Sequence, residues 1–171
     1  MTVIKLITLS TILFCNLAIQ AGDRPNVLWI VSEDNGVKWI GSYGGVNAKT
    51  PVIDGLAKEG FRYTNCYDNA AVCAPTRSTW LTGMLASSTG TQPMRSTYRV
   101  PIMVKYYNEQ LQKAGYFTSN SSKTDYNLSG MKGRDPMQFW DYQGRDWAKQ
   151  IHDRKDGKPF FIVVNVGHSH E

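Results

Sequence analysis

From Asn26 to Ser32 the chain is almost unbroken in apolar residues, with Val, Leu, Trp and Ile in succession, and two carboxylates and Asn35-Gly36 follow at once. A run of this length without polar alternation predicts a strand buried on both faces, as in a parallel sheet covered by helices. Phe160 to Val166 reads the same way, and Tyr116 to Ser119 predicts a shorter strand after Gly115. Helical signals fall between these strands. Thr50-Pro51 offers an N-cap hydroxyl and a proline at the first helical position; Val52, Ile53, Leu56 and Ala57 supply an apolar face and Gly60 a stop. Tyr106 to Ala114 predicts a second helix. Phe61 to Tyr67 alternates enough to predict a short strand, and Ser129 to Lys158, polar and rich in Gly, Asp, Lys and Trp, reads as a surface insertion with short helices. Strands alternating with helices give an α/β fold, a mostly parallel sheet flanked by helices on both faces.

The amino terminus changes the picture of where the chain works. Met1 to Ala21 carries one early Lys5, an apolar run from Leu6 to Ala18 and a small residue at Ala21, ahead of the charged Asp23-Arg24. This reads as a secretory signal peptide, and the run falls short of the ~20 apolar residues of a membrane anchor. A secreted or periplasmic location is expected, with residues 22–171 forming one domain. The net charge of +5 falls to +4 on losing Lys5. That suits an anionic substrate, and without a basic cluster interleaved with aromatics it gives no support to nucleic-acid binding.

Candidate chemistry gathers where predicted strands end. Ligands of open α/β sheets collect beyond the carboxyl ends of the strands, which is where Glu33 and Asp34 fall. Lys123 follows the Tyr116 strand, and His168 and His170 follow the Phe160 strand. The cysteines Cys66 and Cys73 admit two readings. In an exported chain they could form a disulfide, or Cys73 could serve chemistry, and a bridge would consume that thiol.

Cys73-Ala74-Pro75-Thr76-Arg77 decides the direction, because its flanks agree with it: Arg24 to Asp34, Tyr43-Gly44-Gly45, Thr50 to Phe61, Thr64-Asn65-Cys66-Tyr67 and Leu81-Thr82-Gly83. This ordered series resembles the amino-terminal part of a type I, formylglycine-dependent sulfatase of the alkaline-phosphatase-like superfamily. Similarity is dense from Arg24 to Gly83, thinner around Gly115 to Asn127, and returns at Pro159 to Glu171. The chain departs from the family pattern in having Glu33-Asp34 for two Asp and Thr76 where Ser is commoner, and in Thr124-Asp125-Tyr126 following Lys123 where many relatives place a histidine. The family also continues into a second half with further metal ligands and another lysine, so a longer natural chain is expected.

The resemblance implies that Cys73 is converted to formylglycine by a sulfatase-maturing enzyme, and that its hydrate supplies the oxygen nucleophile. It implies a divalent cation, Ca²⁺ with Mg²⁺ as the alternative, held by Glu33, Asp34 and residue 73. Arg77 is expected to reach back to the nucleophile, Lys123 to contact the sulfuryl group and His170 to act as an acid. A helix just after the nucleophile is implied for Ser78 to Met84. The expected substrate is a sulfate ester or sulfamate on a carbohydrate, either a small molecule or a polysaccharide. Two rivals remain open: a phosphate or phosphonate ester hydrolase of the same superfamily, and a truncated, non-catalytic secreted binding protein.

Overall fold

Among the described residues four strands run parallel in the order β1-β4-β2-β3, so all four carboxyl ends lie on one edge of the sheet. The computed structural model describes residues 24–129, 139–154 and 157–169. The expected signal peptide and His170 lie outside the described residues. Strand β1 (Val27–Ser32) pairs with β4 (Phe160–Val166) from Val27↔Phe161 to Ser32↔Val166. On its other side β4 pairs with β2 (Phe117–Asn120), and β2 with the short β3 (Tyr142–Gln143). The helices are α1 (Pro51–Glu59), α2 (Cys73–Thr82), α3 (Ala86–Thr89), α4 (Tyr107–Lys113) and α5 (Trp147–Asp153).

The core lies beside β4 and β2, where Leu81, Val100, Tyr106, Tyr126, Trp140 and Val163 are buried together. Aromatic contacts extend it to β1: Trp29 meets Trp80 at a tilt with centroids 4.8 Å apart, and Tyr107 meets Phe161 at 5.3 Å. Central β4 has the two-sided apolar run the sequence predicts. Edge strand β1 does not: its burial alternates, with Val27, Trp29 and Val31 half-buried and Leu28, Ile30 and Ser32 exposed.

Other local expectations are also revised. Phe61 to Tyr67 forms no strand; it runs along the surface as an extended loop with both Phe61 and Tyr67 exposed. The polar segment before β4 is not wholly superficial. Trp140 enters the core, and β3 extends the sheet. Thr50 occupies the N-cap position of α1 without capping it: its hydroxyl accepts from Gly41 N–H at 2.8 Å and donates to Asp54 at 3.0 Å. The pair thereby ties the turn at Gly41–Tyr43 to the helix, and a Cβ at Gly41 would come within 2.6 Å of the Asp54 carboxylate.

Candidate active site

Helix α2 starts at Cys73, earlier than the predicted Ser78, because Val72 is extended and accepts the Thr76 N–H at 2.9 Å. Pro75 falls in the first turn, where a missing N–H costs nothing, and Gly83 ends the helix in the left-handed conformation. Residue 73 therefore stands at the positive end of the helix dipole. Thr76 uses its hydroxyl to brace the preceding loop, bonding Asp68 and the Ala70 carbonyl. Both Cys66 and Cys73 are free thiols, Cys66 exposed and Cys73 half-buried. The disulfide reading is not realised.

One turn after Cys73 comes Arg77, on the same face of the helix. Both line a cavity of about 510 Å³ that also takes in Glu33, Asp34, Asp68 and Asn165. Arg77 is 7% exposed; its Nε donates to the Asp125 carbonyl at 3.0 Å, and Nη1 lies 3.6 Å from Glu33 Oε1. Lys123 does not line this cavity. It lies in an adjoining cleft with Arg145 and His168, and its ammonium is 2.8 Å from Glu33 Oε2. The structure thus brings Cys73, Arg77, Glu33 and Asp34 together and joins Lys123 to them through Glu33.

The loop that delivers Lys123 is held from below. Ser121 N–H donates to Val163 O, and Asn165 spans β4 to β2 by donating to Asn120 Oδ1 at 2.8 Å and to Ser122 O at 2.9 Å. At its far end Asn127 donates to the carbonyls of Thr91 and Pro93. Asp34, Lys123 and Asn127 all adopt positive φ, 50°, 58° and 56°, a conformation that non-glycine residues hold only where the surroundings enforce it. Beneath Arg77, the Tyr126 hydroxyl accepts from Asn120 at 2.8 Å and from Trp140 at 2.9 Å. Burial pushes the Tyr126 phenol up to about 12 despite these two bonds and the nearby Arg77, which pull it down. Tyr107 is likewise driven well above the ordinary tyrosine range, by burial first and then by Tyr126.

Sequence reasoning missed Asn165, Asp68 and Tyr126. Asn165 had a signal, as the one polar residue within the apolar run of β4. Asp68 and Tyr126 had none.

The family model for sulfatases matches residues 25–171. The chain belongs to the sulfatase family. It is 38% identical over 161 residues to an ulvan-active sulfatase of Formosa agariphila, covering 87% of this chain and 26% of that protein. It is 32% identical over 119 residues to an N-acetylgalactosamine-6-O-sulfatase of Bacteroides thetaiotaomicron, covering 68% and 23%. This sulfatase chain therefore spans about a quarter of the length of these relatives. Among solved structures it resembles a protein captured with its substrate D-glucosamine-2-N,6-O-disulfate, at TM-score 0.72 and 23% identity over 87% of this chain and 35% of that one. It also resembles an alkaline phosphatase superfamily protein of Vibrio parahaemolyticus, at TM-score 0.56 and 19% identity over 85% and 40%. These likenesses establish the alkaline-phosphatase-like fold.

Sulfatases of this family generally work with a formylglycine and a divalent metal. Among the described residues no group of three His, Cys, Asp or Glu side chains is drawn close enough to hold a metal ion, although Glu33, Asp34 and Cys73 line the same cavity. Also among the described residues, no helix is long and apolar enough to cross a membrane.

Proposed function

We propose that this chain carries the nucleophile and its cationic surroundings in an exported sulfuric ester hydrolase acting on a sulfated carbohydrate. The observation behind this reading is Cys73 opening α2 inside the cavity lined by Arg77, Glu33 and Asp34. The names of the relatives, an ulvan-active sulfatase and an N-acetylgalactosamine sulfatase, support a sugar as the bearer of the sulfate ester or sulfamate. Once oxidised by a maturing enzyme, residue 73 would offer an aldehyde hydrate, one hydroxyl attacking sulfur and the other expelling sulfate as the aldehyde re-forms.

The chain's own residues do the rest of the binding. Arg77 is fixed at both Nε and Nη1, so its charge is aimed before substrate arrives and needs no reorganisation as negative charge moves onto the sulfuryl oxygens. Lys123 adds a second cation in the adjoining cleft, joined to Arg77 through Glu33. Hydrolysis breaks the bond between sulfur and the leaving oxygen, and water's oxygen ends on sulfate. The leaving alcohol must gain a proton, the role expected of His170. A calcium or magnesium ion would be held by Glu33, Asp34 and residue 73, which line the same cavity, together with further donors.

Peptide mass spectrometry on the tryptic fragment 63–77, from protein made in its native host, tests this reading. A mass deficit at residue 73 with hydrazide capture is expected, together with release of sulfate from sulfated saccharides. An unmodified Cys73, or faster turnover of phosphate esters than sulfate esters, would overturn it.

A further inference from the structure

Asn165 is the one polar residue in the apolar run of β4, and its side-chain amide donates twice to the chain that leaves β2. The register shows what these bonds replace. Strands β2 and β4 pair as far as Asn120↔Val163, and Ser121 N–H donates to Val163 O at 2.9 Å. In a parallel ladder the next bond would run from Asn165 N–H to the Ser121 carbonyl. It runs to the Ser121 hydroxyl instead, at 2.9 Å. The Asn165 amide then donates to Asn120 Oδ1 at 2.8 Å and to Ser122 O at 2.9 Å. Side chains thus carry the ladder one step further while the backbone after β2 turns away from the sheet.

Lys123 follows directly, at φ 58°, a left-handed conformation that a lysine keeps only under restraint. Ser122 O is the carbonyl of the Ser122–Lys123 peptide, so the bond from Asn165 fixes the plane from which the lysine side chain starts. A carboxamide in a central strand gives up the packing of a valine, and it is tolerated there because its donors are bonded. We propose that Asn165 is a positioning residue, which holds the Ser122–Lys123 peptide and thereby aims the Lys123 ammonium at the reacting group. It acts through Lys123 and needs no contact of its own with the substrate. The proposal rests on reading the Cys73 cavity as the active site, with Lys123 reaching the sulfuryl group or its leaving oxygen.

Two measurements on the full chain test it. Hydrogen–deuterium exchange, read by mass spectrometry on peptides covering 119–127, needs no turnover. Asn165→Ala is expected to speed exchange over 121–125 by about tenfold or more, with exchange in β1 unchanged. The second is a double-mutant cycle on kcat and KM for 4-nitrophenyl sulfate, with Asn165→Ala, Lys123→Ala and the two combined. Asn165→Ala should lower kcat by about tenfold with little change in KM, and by less than about threefold once Lys123 is already alanine. A merely structural loss would lower kcat equally in both backgrounds. Ser121→Ala, which removes only the hydroxyl acceptor, should act in the same direction more weakly and guards against misfolding of the Asn165 variant. Unchanged exchange over 121–125, or losses that multiply in the combined variant, overturns the proposal. A parent that turns over no sulfate ester defeats the sulfatase reading, and exchange alone then decides whether Asn165 holds the Lys123 loop.

Discussion

The carboxyl edge of the sheet and the exposed faces of β1 and α1 are built on opposite principles. At the carboxyl edge almost every buried group is polar and paired: Glu33 with Arg77 and Lys123, Asn165 with Asn120 and Ser122, Asn127 with Thr91 and Pro93. On the flank the side chains are apolar and uncovered among the described residues, with Ile30 61% and Leu56 65% exposed. A network of satisfied hydrogen bonds fixes directions, which a site for a charged reaction needs. An apolar face fixes nothing until something packs on it. The immediate surroundings of Cys73 are thus organised within this segment, whereas the outer face of β1 is not.

The largest effect is expected at Cys73, the proposed nucleophile. Cys73→Ala should lower kcat of the full chain by about 10⁴-fold or more while leaving its thermal midpoint nearly unchanged, since residue 73 is half-buried and bears no bonded partner in the core. A residual rate within tenfold of the parent would place the chemistry elsewhere. Arg77 separates the two regions more sharply, because it serves both aim and stability. Arg77→Met leaves a buried Glu33 with one cation fewer, and should cost about 3 kcal/mol in denaturant unfolding besides its loss of activity. A variant that lost turnover with unchanged stability would show that the Arg77–Glu33 contact is not what holds this edge.

The flank is tested by a matched pair of truncations. Ile162 on β4 is wholly buried and Ile30 on β1 is 61% exposed. Ile162→Ala should cost about 3 kcal/mol, and Ile30→Ala under about 1 kcal/mol, in chemical denaturation. Equal losses would mean that the Ile30 face is covered in the protein as tested, which would erase the contrast.

How much of this could be read in the sequence follows the same division. The central strand, α1 and α4 were legible because their patterns are local: unbroken Val and Ile for β4, Thr50-Pro51 before α1, Gly115 after α4. The two-sided burial expected of β1 did not appear, because whether the outer face of an edge strand is covered depends on what lies beside it, which its own residues do not encode. Phe61 to Tyr67 failed as a strand for a related reason, since alternation without a partner strand has no ladder to join. At the site, Cys73, Arg77 and the β1-end carboxylates were legible as residue types at strand and helix ends. Their pairing was not: nothing in the spacing of Glu33, Arg77 and Lys123 announces a shared ion pair, which arises only when β1, α2 and the loop after β2 meet. Asp125 and Tyr126 escaped for the same reason, as they act through Arg77 and Trp140 from far along the chain.

The smallest effect concerns the buried phenol beneath Arg77, and it asks whether the edge network contributes to stability as well as direction. Tyr126 is raised from 10.0 to about 12, chiefly by burial, so the folded state holds its proton more tightly than the unfolded chain does. Its contribution is therefore complete below pH 10 and is lost as pH climbs from 10 towards 12, where the unfolded chain has already released the proton. A shift of this size corresponds to about 2–3 kcal/mol at most. Denaturant unfolding of the full chain between pH 9 and 12 should show stability falling through this window, with a shallower fall in Tyr126→Phe, which has no phenol to titrate. Tyr107, raised by burial as well, contributes in the same direction and remains in the variant. If Tyr126→Phe falls as steeply as the parent, the phenol is not buried beneath Arg77 in solution, and the polar edge would be looser than the contrast with the apolar flank requires.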